Sequence, residues 1–298
     1  MRTSPRSCAW LLMLLLSAVL SPCVEATDGP LTRETYFMIG EALANRKVAE
    51  ERDWALGPRT RGQTSLRDVF KRTVRSVPLI VSGSGLGSGA LIGISETTGI
   101  VITNQHVVNT PLLTDKGQKL VAVFFFDPEL AAEPFQPERM ASCFDAKSPG
   151  EWCRAVKKAM RVAVVIAVDP GRDLALVIVP DLPKDVTALS QTRTNEAQPG
   201  DDVSVIGHPL GFLWTMTTGI VSAIRQRYPL GSTTGTIIQT QTPISPGNSG
   251  GPLLASSGAL LGVIVWSVAE NAQGLNAAIA SDEVQAFAAE QLQKAKGR

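Results

Sequence analysis

Residues 243–254 read Pro-Ile-Ser-Pro-Gly-Asn-Ser-Gly-Gly-Pro-Leu-Leu, a stretch that sets one serine, Ser249, on backbone nearly bare of side chains. A hydroxyl so placed suits nucleophilic acyl chemistry, which needs main-chain N–H groups aimed at a developing oxyanion. Ser249 offers one such donor. Gly247 offers a second, because no Cβ obstructs the turn there. On its own the segment also fits an ordinary Gly-rich turn before a strand. The remainder of the chain decides between the two readings.

A serine nucleophile needs a base, and the chain holds two histidines. His106 ends the run Gly-Ile-Val-Ile-Thr-Asn-Gln-His, whose β-branched residues read as a buried strand. His208 sits in Ile-Gly-His-Pro-Leu-Gly, which reads as a turn and places it as a surface loop residue near the cleft. A base needs a fixed tautomer and a rigid mount, so His106 takes the role. The third member is a carboxylate that orients the imidazole and stays ionised beside it. Asp173 leads directly into Leu-Ala-Leu-Val-Ile-Val, where an acid is costly unless paired. Asp169 competes for the role, but Asp-Pro-Gly is common turn chemistry.

With His106, Asp173 and Ser249 in that order, three motifs carry a likeness: Thr-Asn-Gln-His-Val-Val, Asp-Leu-Ala-Leu and Gly-Asn-Ser-Gly-Gly-Pro-Leu. The chain resembles the trypsin-like serine proteases, and within them the HtrA/Deg branch. Gly-Leu-Gly-Ser-Gly-Ala-Leu-Ile at 85–92, Gly-His-Pro-Leu-Gly at 207–211 and Thr-Gly-Ile-Val-Ser-Ala at 218–223 extend the likeness over residues 75–285. The resemblance implies an all-β domain of two six-stranded antiparallel barrels, with His106 and Asp173 from the first and Ser249 from the second. It implies a serine endopeptidase with a C-terminal helix, no cofactor and protein or peptide substrates. It also allows a homo-oligomer. By the same resemblance Pro243, Ile244, Val265, Trp266, Ser267 and Gly274 wall the specificity pocket. Pro243 stands where enzymes cutting after Lys or Arg carry an acid, so a buried cation finds no partner and small or medium apolar side chains are expected. Trp266 is open to a plain packing role as well. Asn248, neutral, stands where zymogen-type relatives carry an aspartate that pairs with an inserted N-terminal ammonium. Activity is therefore expected not to depend on a newly cut terminus.

The elements that must hold these residues follow from composition and punctuation. An apolar content of 44% with only 5% aromatics gives a core of Val, Ile, Leu and Ala. Many short β-branched segments between Gly and Pro favour a sandwich or barrel. A net charge of +1 argues against a nucleic-acid surface, and no Cys/His cluster has metal-ligand spacing. Arg2 and Arg6 before the apolar Ala9–Leu20 read as a signal peptide over 1–26, with Val24 and Ala26 at its cleavage site. Proline beside Cys23 speaks against a lipid anchor there, and no later segment reads as transmembrane, so the protein is expected to be exported, periplasmic or secreted. Loss of Cys8 and Cys23 with the leader leaves Cys143 and Cys153 as a pair in an oxidising compartment, where a disulfide is expected.

Residues 27–74 form a helical extension, with Leu66, Val69 and Phe70 on one apolar side. Residues 75–298 form the protease domain. They include a Pro- and charge-rich insertion over 124–160, read as a loop with a helical turn near Glu151–Lys158 and serving as a lid, a docking element or a surface elaboration. Ser281 is placed to cap a closing helix that carries Val284, Phe287 and Ala288. Only a short tail follows it, so the PDZ domain usual in HtrA proteins is not expected among these residues. Two other functions fit the same fold. One is a non-catalytic protein that captures peptide by strand addition. The other is a non-peptidase serine hydrolase, although a nucleophile elbow would place its histidine last in the chain, not first.

Overall fold

The β-branched runs between glycines and prolines become fourteen strands among the described residues of the computed structural model. Those residues are 65–83, 85–114, 117–145, 149–267 and 274–296. The expected leader and all but the end of the 27–74 extension lie outside them. The part of the extension that is described forms α1 (Leu66–Thr73), where Ser65 accepts a hydrogen bond from Asp68 N at 3.2 Å as its cap. Val69 is buried on the inner side of this helix. Leu66, expected on the same side, is 51% exposed.

The first half comprises β1 (Leu79–Ser82), β2 (Gly85–Ser88), β3 (Ala90–Ser95), β4 (Thr98–Thr103), β5 (Leu112–Leu113), β6 (Lys119–Phe124), then α2 (Pro128–Ala131), α3 (Pro137–Asp145), α4 (Glu151–Ala159), and finally β7 (Met160–Asp169) and β8 (Leu174–Val179). Its antiparallel sheet runs β2-β1-β6-β7-β8-β4-β3, with β5 beside β6. The two ends of that path are consecutive in the chain, since only Gly89 separates β2 from β3. One bent strand thus joins both edges, and the sheet closes into six strand positions through a covalent corner. A Cβ at Gly89 would meet Val101 at 2.5 Å and Ile80 at 3.0 Å, so the corner admits no side chain. Inside lie Ile80, Leu91, Val101, Val123 and Val177, all fully buried.

The second half comprises β9 (Asp202–Gly207), β10 (Thr215–Leu230), β11 (Thr233–Thr240), β12 (Pro252–Ala255), β13 (Leu260–Ser267) and β14 (Asn276–Ala280). These close by hydrogen bonds alone, in the order β10-β11-β14-β13-β12-β9. The chain ends on α5 (Ser281–Lys296), which buries Val284, Phe287 and Ala288 against the barrels. Ser281 opens this helix, but its hydroxyl donates to the Thr192 carbonyl at 2.5 Å and ties the helix to the inter-barrel linker.

The insertion is more helical than expected: the turn expected near Glu151–Lys158 forms as α4, but α2 and α3 stand where a loop was expected. Three helices form, and Leu130, Phe135, Met140, Cys143, Ala155 and Val156 are buried among them. Asp127 caps α2 through Glu129 N at 3.0 Å, ahead of the helix-compatible Pro128. A disulfide joins Cys143 of α3 to Cys153 of α4. Pro128 and Pro137 open helices and Lys157 and Lys158 are exposed, which disguises the insertion's apolar stripe of helical period.

Candidate active site

His106 lies in the turn just beyond β4, where the rigid β-branched run stops and the side chain remains 43% exposed. Asp173 grips it twice. One carboxylate oxygen accepts the His106 backbone N–H at 2.9 Å, and the other meets Nδ1 at 2.6 Å. A carboxylate can only accept, so Nδ1 carries the ring proton and Nε2 is left as a base. Asp173 itself adopts φ +53°, an uncommon conformation for a residue other than glycine, though Asp tolerates it best with Asn. Its carbonyl pays back the strain by accepting Asn104 Nδ2 at 2.9 Å and Gln105 N at 3.2 Å. The competitor Asp169 does what its turn sequence implies: it accepts Gly171 N at 2.9 Å and Arg172 N at 3.0 Å. Arg172 also bonds Glu290 on α5 at 3.1 and 2.7 Å, and that bonding holds the Glu290 carboxyl below its ordinary value. Asp169 is therefore a structural anchor away from the base.

Ser249 stands on a loop whose peptide planes are pinned one by one. The Pro246 carbonyl accepts Leu210 N at 2.7 Å, and the Asn248 carbonyl accepts Gly251 N at 2.9 Å. In a trans peptide the N–H points opposite to the carbonyl. The N–H groups of Gly247 and Ser249 are thus turned away from those anchors, and neither has an acceptor among the described residues. Gly247 has φ +105°, and a Cβ there would run into the His208 carbonyl, so no other residue fits. The loop abuts the base's turn: a Cβ at Gly87 would meet Val107 at 2.6 Å on one side and the Ser249 carbonyl at 3.2 Å on the other. The Ser249 hydroxyl donates to the Val265 carbonyl at 2.8 Å and makes no hydrogen bond to His106. Val265 can accept it because the β13–β14 register slips between Ile264 and Trp266, leaving Val265 opposite no partner.

The expected pocket segments converge at one end of the second barrel. Ala277 and Asn276 of β14 pair with Trp266 and Ser267 of β13, and Asn276 Nδ2 reaches the Thr242 carbonyl at 2.7 Å, just ahead of Pro243. Gly274, with φ +78°, makes the bend into β14. Pro243 is exposed, and its carbonyl accepts Thr217 Oγ1 at 3.0 Å. Ile244 is half-buried and packs on the core of the second barrel, since a branched apolar side chain at the rim gains more from that core than from solvent. The side chains of Trp266 and Ser267 lie outside the described set.

His208 requires a correction. It is not a surface residue but is 0% exposed, with Nδ1 2.8 Å from Ser88 Oγ and its ring edge-on to Trp214 at 5.2 Å. Burial lowers its pKa to about 3, so the ring is neutral at any ordinary pH. The turn does form, at Pro209–Gly211, but it is seated beneath the Ser249 loop. Apolar residues on both sides, Ile206 before it and Trp214 after it, are the signal for that depth. Ser88 and Leu210 are further residues of this site that spacing alone did not single out. Among the described residues no helix is long and apolar enough to cross a membrane, and no group of His, Cys, Asp or Glu is arranged to hold a metal.

The family model of the trypsin-like peptidase domain matches residues 87–263. A DegP-like periplasmic serine endoprotease of Pseudomonas fluorescens is 41% identical over 101 residues, 34% of this chain and 21% of that protein. Periplasmic serine endoprotease DegP of Escherichia coli is 30% identical over 178 residues, 60% of this chain and 29% of that protein. The chain spans about half the length, or less, of the curated relatives it matches. Among solved structures, the HtrA-type protease AlgW with tripeptide aligns with a TM-score of 0.53 at 26% identity, over 77% of this chain and 62% of that one.

Proposed function

The chain belongs to the trypsin-like peptidase family, and from that premise we propose that it is a serine endopeptidase whose working residues are His106, Asp173 and Ser249. The observation that carries this reading is the two-oxygen grip of Asp173 on His106, opposite a serine loop with two unsatisfied N–H groups. A peptide-binding protein without chemistry would need neither.

Catalysis starts when the Ser249 hydroxyl leaves Val265 and turns to His106 Nε2. That nitrogen takes the proton as Oγ adds to the scissile carbonyl. Asp173 holds Nδ1–H and stabilises the imidazolium. The Gly247 and Ser249 N–H groups receive the oxyanion, each donor worth about 3 kcal/mol of barrier where such groups have been measured. His106 then protonates the leaving amine, an acyl-enzyme remains on Ser249, and water enters by the same route to release the acid.

Pro243, Ile244, Val265, Trp266, Ser267 and Gly274 bound the pocket in this reading, which places small or medium apolar side chains next to the cleaved bond. Export to an oxidising compartment, behind a leader at 1–26, suits the Cys143–Cys153 disulfide and the periplasmic relatives. The domain division follows as an extension over 27–74 and a protease domain over 75–298, and the HtrA-type likeness makes a homo-oligomer the expected assembly. Hydrolysis of labelled casein tests the core of the proposal. Wild type should cleave it and folded Ser249→Ala should not; equal rates would remove Ser249 from the mechanism.

A further inference from the structure

Two motifs take no part in the proposed triad yet meet behind it: Gly-Leu-Gly-Ser-Gly at 85–89 and Gly-His-Pro-Leu-Gly at 207–211. Ser88 ends β2 in the first barrel, and His208 follows β9 in the second. Both are 0% exposed. Ser88 Oγ lies 2.7 Å from the Gly247 carbonyl and 2.8 Å from His208 Nδ1. The carbonyl can only accept, so the single hydroxyl proton goes to Gly247, and Nδ1 must be the atom that donates to Ser88. The direction of the chain is thereby settled as His208 Nδ1–H to Ser88 O–H to Gly247 C=O. His208 Nε2 is left bare and has no partner among the described residues.

The Gly247 carbonyl belongs to the peptide between the two that supply the oxyanion donors. Its neighbours are anchored within the second barrel, through Leu210 and Gly251. Among the described residues, the hydrogen bonds to this loop from the barrel that carries His106 come from Ser88, which makes two, since its backbone N–H also donates to the Ser249 carbonyl at 2.8 Å. No room is spare around it: a Cβ at Gly207 would meet Ser88 Oγ at 2.9 Å and Asn248 Oδ1 at 2.5 Å.

We propose that Ser88 and His208 are positioning residues for the oxyanion donors: a histidine–serine relay holds the Gly247 peptide so that the donor pair is registered against the base of the other barrel. The relay rests on the serine-peptidase reading above. It stabilises the transition state without touching substrate, so it acts on kcat more than on KM. Burial keeps His208 neutral, so the relay is intact throughout the pH range in which His106 must work.

The test compares the full chain with Ser88→Ala, His208→Leu and His208→Asn. The measurements are steady-state kinetics on a fluorogenic peptide amide with valine before the cleaved bond, and thermal melts to establish folding. Ser88→Ala and His208→Leu should lower kcat about 10- to 100-fold with KM within about twofold. Asparagine carries an N–H close to the position of Nδ1, so His208→Asn should recover most of that loss. Folded Ser88→Ala with kcat within about twofold of wild type would overturn the relay, as would His208→Asn as impaired as His208→Leu. If His208→Leu does not fold, Ser88→Ala decides by the same criterion, and His208→Asn as impaired as Ser88→Ala would overturn the relay. Wild type that neither cleaves casein nor is labelled at Ser249 by a fluorophosphonate overturns the peptidase reading and the relay with it. Active wild type beside unaffected variants overturns the relay alone.

Discussion

In the proposed mechanism the first barrel contributes side chains: Asp173 meets the His106 backbone N–H at 2.9 Å and its Nδ1 at 2.6 Å, an arrangement that suits a base. The second contributes its main chain. The Gly247 and Ser249 N–H groups are aimed by the anchoring of their peptides, and the one reactive side chain there rests on Val265. In that mechanism the first half is set before substrate arrives, whereas the second requires the Ser249 hydroxyl to leave the Val265 carbonyl. Removing a side chain should therefore disable the first half outright, while the second should be sensitive to anything that turns a peptide plane.

The largest effect expected on that contrast comes from Asp173→Asn. The amide would present an N–H toward His106 and favour the wrong tautomer, so kcat should fall on the order of 10⁴-fold with the fold retained. A loss under about tenfold would show that the grip is not what activates His106. Gly247→Ala tests the other half. The left-handed φ and the close His208 carbonyl force the loop to shift, and kcat should drop about 10²- to 10³-fold while the His106–Asp173 pair stays intact. Unchanged kinetics would mean that the donors are not at Gly247 and Ser249.

A third expectation concerns acid stability. His208 has a folded pKa of about 3 against an ordinary 6.5, so the unfolded chain binds a proton that the folded one refuses. Its contribution is complete above pH 6.5 and is lost as the pH falls toward 3. Between about pH 7.5 and 4.5 this amounts to roughly 3 kcal/mol. Urea unfolding at both values should show a smaller fall for His208→Asn than for wild type, and equal falls would contradict the burial argument. The smallest effect expected is none. Asn248 is neutral and 2% exposed, so no counter-ion awaits an inserted ammonium. Chains starting at different points between Thr27 and Arg61 should have equal activity once folded and assembled alike. A strict need for one free terminus would falsify that expectation.

The same division explains what could be read from the residues. The proposed Ser249, His106 and Asp173 could be picked out because each sets a reactive side chain beside a distinctive local run. The Cys143–Cys153 pair and the closing helix are legible for a similar reason, arithmetic in one case and period in the other. The depth of His208 is hidden by Gly-His-Pro-Leu-Gly itself, which encodes a turn and says nothing about what packs over it; only the apolar Ile206 and Trp214 that flank it point inward. The helices of the insertion were obscured by prolines and charges that belong to helix starts and outer faces. Closure of the first barrel through Gly89 and the placement of Ser249 on Val265 depend on contacts between residues far apart in the chain. Neither has a local signature.

The central claim is that Ser249 is an activated nucleophile served by both halves of the site, and fluorophosphonate labelling followed by peptide mapping tests it most directly. One modified residue, Ser249, is expected, with labelling abolished in Asp173→Asn and strongly slowed in Gly247→Ala. Modification at another serine, or labelling of Ser249 at the wild-type rate in both variants, would contradict it.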